Sequence, residues 1–176
     1  MIIPGRLIAL VTFPGVIVHE IAHQLFCRLC GVAVLDVCYF RFESPAGYVE
    51  HEPPRRISQH VLIGIGPFIV NSLLGAFIAL PSAVAVLQFE AGTVLDYILV
   101  WLGVSIAMHA FPSVADAKSI WQAIWSEGTP TLTRLMVTPV VGLIYLGALG
   151  SFLWLDLAYG VVLAVGFPYL LVSLLT

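Results

Sequence analysis

Four stretches of the chain carry no Asp, Glu, Lys or Arg: Val61 to Leu87, Tyr97 to Ala115, Leu135 to Leu155 and Leu157 to Thr176. Each is long enough to cross a hydrocarbon core of about 30 Å at a rise of about 1.5 Å per residue, so each predicts a membrane-spanning helix. Leu7 to Phe26 is equally apolar apart from His19, Glu20 and His23, and it predicts a fifth. The last two stretches, separated only by Asp156, are together too long for one crossing. They predict a tight helical hairpin near Gly150 to Asp156 with Trp154 and Tyr159 as interfacial anchors. Pro81 predicts the end of the second helix, leaving Ser82 to Asp96 as a loop or a short re-entrant piece.

Two connections carry patterns of their own. Val32 to Glu52 alternates in part, Phe40 and Phe42 against Arg41 and Glu43, breaks at Ser44 to Gly47 and resumes at Tyr48 and Val49. That pattern predicts a β-hairpin at the membrane surface. Ser113 to Trp125 sets Ile120, Trp121, Ile124 and Trp125 on one face at helical spacing, which predicts a short helix in the headgroup region.

Composition agrees with the pattern and excludes other classes. Of 176 residues, 60% are hydrophobic and 10% charged, against about a quarter charged in a soluble domain. Disorder needs low hydrophobicity with high net charge, and nucleic-acid binding needs clustered Lys and Arg; the seven basic residues here serve neither. The expectation is one all-α polytopic membrane domain over residues 1–176, with a core at 7–118 and an additional helical hairpin at 131–176. Arg28, Arg41, Arg55 and Arg56 follow the first span, Lys118 and Arg134 follow the third, and Arg6 alone falls on the other side. The positive-inside bias places the N-terminus outside the cell membrane, with the basic connections and the C-terminus in the cytoplasm. The first apolar stretch contains His and Glu and no small-residue cleavage site follows, so it reads as a permanent helix and not as a signal peptide.

The chemistry concentrates in that first stretch. His19, Glu20, Ile21, Ala22 and His23 spell HExxH, which on a helix puts two imidazoles four residues apart on one face, within reach of one metal ion. The Glu beside them can take a proton from a water activated by Zn²⁺ and return it to a leaving amine. With five His and ten acids in the chain, the motif arises by accident on the order of 1% of the time. Each of these residues also costs a few kcal/mol inside a span, roughly 3 at the centre on insertion scales, which argues for function.

Zinc hydrolases usually take a third protein ligand. Asp116, at the cytoplasmic end of the third span, matches the depth of the pair, whereas Asp96 and Asp156 are expected at the opposite face and Glu90 in an outer loop. Asp36, Glu43, Glu50 and Glu52 belong to the hairpin region. Asp116 reads either as the ligand or as a first-turn cap of the interfacial helix. His109 is the second candidate ligand, and it reads equally as a satisfied polar group or an oxyanion donor.

Phe13 to Phe26 (FPGVIVHEIAHQLF), the Gly66, Pro67 and Asn71 cluster, and His109 to Asp116 (HAFPSVAD) resemble the three core segments of the site-2 protease family of intramembrane zinc metalloproteases, over about three-fifths of the chain. The spacing marks a divergent branch. Asn71 follows Pro67 by four residues where the family has three, His109 stands in place of an Asn, Asp116 follows Pro112 by four where the family has five, and Ala117 replaces a Gly. The resemblance implies that His19, His23 and Asp116 bind Zn²⁺, that Glu20 is the catalytic base and that Asn71 helps hold the substrate or the oxyanion. It also implies a transmembrane or membrane-associated protein as substrate. An edge strand at Tyr39 to Phe42 or Tyr48 to Glu50 would hold that substrate extended, or the hairpin would only close the cytoplasmic side of the site.

The other polar and small residues receive plainer readings. Gly64, Gly66 and Gly75 are expected to permit close packing beside the HExxH helix. Cys27, Cys30 and Cys38 read as small buried or interfacial side chains, not a disulfide framework or a second metal site. His51 and His60 read as surface and helix-start residues, and Trp101, Trp121, Trp125 and Trp154 as packing or interfacial anchors. The alternative to a protease is a non-catalytic zinc-containing membrane protein that binds or sequesters membrane helices. A metal transporter ranks below both, because the outer halves of the spans offer few ligands.

Overall fold

A computed structural model describes residues 5–89 and 91–175; Glu90 lies outside them. The chain is mostly helical: α1 (Gly5–Val11), α2 (Phe13–Leu29), α3 (Ile57–Gln88), α4 (Val94–Met108), α5 (Val114–Ile124), α6 (Thr131–Gly150), α7 (Leu155–Val161) and α8 (Phe167–Leu175), with strands β1 (Val34–Cys38) and β2 (Tyr48–His51) between α2 and α3. Among the described residues, three helical segments are long and apolar enough to cross a membrane: Ile57–Val86, Thr131–Gly150 and Leu155–Leu174. Val94–Met108 is a shorter apolar helix.

Prolines punctuate these helices without always ending them. Pro14 cannot donate to the carbonyl four residues back, and the chain breaks at Thr12 between α1 and α2. Pro81, expected to end the second helix, lies inside α3, which continues to Gln88, so no loop spans Ser82 to Asp96. Ala79, Ser82 and Ala83 are buried around it, and that packing carries the helix past one missing hydrogen bond. Near the C-terminus a π-turn over Val162–Gly166 joins α7 to α8 and accommodates the buried Pro168, whose ring would otherwise meet the carbonyl of Ala164.

Small residues set the helix crossings. A Cβ on Gly103 would lie 2.6 Å from both the Ala79 Cβ and the Gly75 carbonyl oxygen, so α3 and α4 touch backbone to backbone. Gly66 makes room for the Phe26 ring of α2, as expected. Gly64 instead admits Ile120 of α5, and Gly75 serves α4. Gln59, in the first turn of α3, accepts from Arg56 N–H and donates to the Cys30 carbonyl, which ties α3 to the end of α2.

The hairpin is present but shifted. β1 pairs antiparallel with β2 (Cys38 opposite Tyr48, Val37 opposite Val49), so the first strand lies ahead of the expected Phe40 to Glu43 alternation and Tyr39 to Phe42 belong to the loop. That loop runs back along α2, with the Phe40 ring 5.9 Å from Phe13 and 5.4 Å from Phe42. On α5, Ala117 and Ile120 face inward to a cluster with Val141 and Ile144 of α6, and Ile124 is buried as well, while Trp121 and Trp125 are exposed. Trp125 carries the Arg134 guanidinium over its ring.

The C-terminal arrangement differs from the expected hairpin. α6 packs on α5, whereas α7 and the π-turn pack along α4 and α3, and α6 meets α7 far less than α7 meets α4. Phe111 explains the difference: its ring meets Gly147 on one side and Tyr159 on the other, so the turn is drawn to the C-terminal end of α4 and away from the opposite face. Trp154 makes that turn with a left-handed backbone, φ 62°.

Replacing Gly75 or Gly103 by Val should force α3 and α4 apart, at a cost of about 1–3 kcal/mol each or more. The double variant should cost less than the sum, because one separation relieves both clashes. Unfolding midpoints in detergent check this.

Candidate metal centre

His19 and His23 lie one turn apart on α2, and each ring is held by a carbonyl oxygen that its own helix leaves free. His19 Nδ1 donates to the carbonyl of His109, the residue that ends α4, at 2.7 Å. His23 Nδ1 donates to the carbonyl of Ile63 at 3.0 Å. Ile63 lies four residues before Pro67, which has no N–H to offer it. A carbonyl can only accept, so both Nδ1 atoms carry the proton, and in the neutral rings both Nε2 atoms present lone pairs.

Those two Nε2 atoms face each other at 3.2 Å. Neutral rings in this tautomer repel across that gap unless a cation stands between them. Two nitrogens bound to one tetrahedral zinc at about 2.05 Å would be about 3.3 Å apart, so the spacing fits such an ion. Asp116 completes the group: its Oδ1 lies 3.5 Å from His23 Nε2, and the three candidate ligand atoms lie within 4.8 Å of one another. Oδ2 of the same carboxylate accepts from Ser113 N–H at 2.7 Å and from the Ser113 hydroxyl at 2.6 Å, closing a capping box on α5. The cap reading therefore holds through Oδ2, while Oδ1 is the oxygen that faces the imidazoles.

Glu20 is buried beside the pair and lines the same cavity of about 390 Å³. Its side chain lies against Gly47 of the hairpin, where a Cβ would come within 2.7 Å of Glu20 Cγ. Tyr48 and Val49 continue that wall, and Tyr48 donates its hydroxyl to Asp36 at 2.7 Å. That hydrogen bond, with the Asp36 charge, raises the Tyr48 phenol above its ordinary pKa.

Asn71 does not reach the cavity. It is fully buried, and its amide nitrogen donates to the carbonyls of Gly15 at 3.2 Å, Ile106 at 3.1 Å and His109 at 3.3 Å. It shares the His109 acceptor with His19, and its own Oδ1 has no partner among the described residues. The His109 ring lies outside the ligand cluster, hydrogen-bonded through Nε2 to the Thr12 hydroxyl at 2.8 Å. Ser105, fully buried on α4, bridges the break before α2 by donating to the Thr12 carbonyl and accepting from Gly15 N–H.

Several lining residues are not among those the sequence assigns to the site. His51 extends the β2 wall, and Ser151 and Asp156 reach the cavity from the α6–α7 turn. Asp156, expected at the opposite face, thus borders the same space as His19. A proline four residues after Ile63 was the one sequence signal for the His23 acceptor. His60, in contrast, is the expected helix-start residue, bonded to Ser119 and the Pro54 carbonyl.

No protein-family model, curated protein or solved structure matches the chain.

Metal analysis of purified protein should find one ion per chain, lost on His19→Ala or His23→Ala. Asp116→Asn should keep the α5 cap, since Asn caps about as well as Asp, yet lose most of the metal; unchanged metal in that variant would remove Asp116 as a ligand. Pro67→Ala restores an N–H that competes for the Ile63 carbonyl. It should weaken metal affinity by roughly tenfold while leaving the helix as stable or more so, which competition with a chelator and thermal unfolding resolve separately.

Proposed function

We propose that this chain is an intramembrane zinc metalloprotease of a divergent site-2 protease type, cleaving peptide bonds of transmembrane or membrane-associated proteins. The observation that carries the reading is the convergence of two outward Nε2 lone pairs and one Asp116 oxygen beside a buried Glu in a cavity between apolar helices. His19, His23 and Asp116 would hold the ion, and zinc, when bound, supplies Lewis acidity to the water and the scissile carbonyl. Glu20 takes one proton from the attacking water and delivers it to the leaving nitrogen as the C–N bond breaks, so the products are a carboxyl and an amine. The carbonyls of His109 and Ile63 keep the two rings in the tautomer this requires. β2 offers an unpaired edge on the cavity wall, suited to an extended substrate segment.

In the same reading the protein is a multi-pass protein of the cell membrane. α1–α2, α3, α4, α6 and α7–α8 are its crossings, α6 ending beside the cavity. The basic residues near Leu29, Ile57 and α5 orient the site toward the cytoplasm.

The test is cleavage of transmembrane peptides by the purified chain in detergent. Glu20→Gln should retain the metal and lose about 10²–10⁴-fold in rate. Stoichiometric zinc with no cleavage, and no effect of Glu20→Gln, would instead support a non-catalytic protein that binds membrane helices.

A further inference from the structure

Asp156 introduces a third carboxylate to the cavity wall, beyond Glu20 and Asp116, and among the described residues no Arg or Lys lines that cavity. Asp116 is committed to the capping box and the imidazole pair, and Glu20 lies against the hairpin. Asp156 has no such commitment. Its one hydrogen bond is to the adjacent Leu157 N–H through Oδ1, and it has no ion-pair partner among the described residues. It opens an otherwise charge-free segment, Leu155–Leu174, where an unpaired carboxylate is costly in lipid and marks function by default.

The surroundings of Asp156 define what would offset that cost. Phe111 also lines the cavity, and its ring stands against the α6–α7 turn through Gly147 and Tyr159. Met108 lines it too and packs on Gly160. An apolar wall beside one acceptor-only carboxylate suits a long aliphatic stem that ends in a cation. We infer that Asp156 is a specificity-determining residue: it receives the Lys or Arg side chain of a bound membrane polypeptide whose backbone lies at the Glu20 end of the same cavity. The inference rests on the proposed reading for the nature of the occupant, and it narrows the substrate class to segments with a basic residue at a fixed offset from the bond presented to Glu20.

Binding, measured apart from cleavage, tests it. Fluorescent apolar peptides, acetylated and amidated at their ends so that only side chains carry charge, are titrated against the full-length protein in neutral detergent. A single Lys, Arg or norleucine is moved along the peptide. In at least one register Lys and Arg should bind about 5–10-fold tighter than norleucine, the gain of one partly buried ion pair. Asp156→Asn should bring the ratio within about twofold, while Asp156→Glu and Glu20→Gln keep it. Equal metal content and unfolding midpoint across the variants show that the fold is intact. No register that favours Lys, no binding at all, a preference that survives Asp156→Asn, or one lost in Glu20→Gln would each overturn the assignment. A peptide bound with the predicted preference but never cut counts against the protease reading and leaves the Asp156 assignment standing. Cleavage with no preference does the reverse.

Discussion

Both imidazoles of the HExxH helix depend on carbonyl oxygens that ordinary helix geometry would have consumed. One is freed by Pro67, which cannot donate back to Ile63; the other stands at the end of α4, where the helix runs out at His109. A carbonyl that its own helix leaves unsatisfied takes the nearest donors, and those donors are His23 and His19. For the donors to be nearest, α2 must approach α4 at backbone distance. Gly15 allows that, since any Cβ there would collide with the Ser105 carbonyl, and Ser105 and Asn71 satisfy the polar groups that the break before α2 exposes. Local irregularities that look like flaws in membrane helices are thus what set the ring orientations.

What could be read from residues alone follows from which signals are local. His19, Glu20, His23 and the helix that carries them were legible because periodicity and the cost of burying polar groups both act along one segment. Asp116 was legible through depth, a one-dimensional coordinate that charge-free lengths approximate. Depth failed for Asp156, because the α6–α7 turn is positioned by the Phe111 ring, a contact between residues 36 or more apart in sequence for which no pattern speaks. Pro81 misled for a related reason: propensity marks the missing hydrogen bond but not the packing of Ala79, Ser82 and Ala83 that outweighs it. The strand shift in the hairpin came from reading the aromatic alternation at Phe40 and Phe42 as sheet faces, when those rings instead follow Phe13 along α2.

The hairpin borders a cavity on one side and a helix on the other, and a loop bond from Arg41 N–H to the Ala46 carbonyl ties its tip together. Arg41 pairs with Glu43 and lies over the Tyr48 ring, which keeps its charge near compensation as the loop rises along α2. The wall facing Glu20 is left with small residues, Ala46 and Gly47, and a main-chain edge.

The divided carboxylate of Asp116 has a further consequence. Because one oxygen closes the first turn of α5 and the other faces the imidazoles, the two events share a single rigid group and their free energies are linked. A cation drawn to Oδ1 polarises the carboxylate and shifts how strongly Oδ2 holds Ser113, and by reciprocity whatever steadies or strains the start of α5 alters affinity at the imidazoles. Trp121 and Trp125 lie farther along that helix on its outward face. Whatever packs on those two rings therefore bears on the energetics of the imidazole pair without touching it.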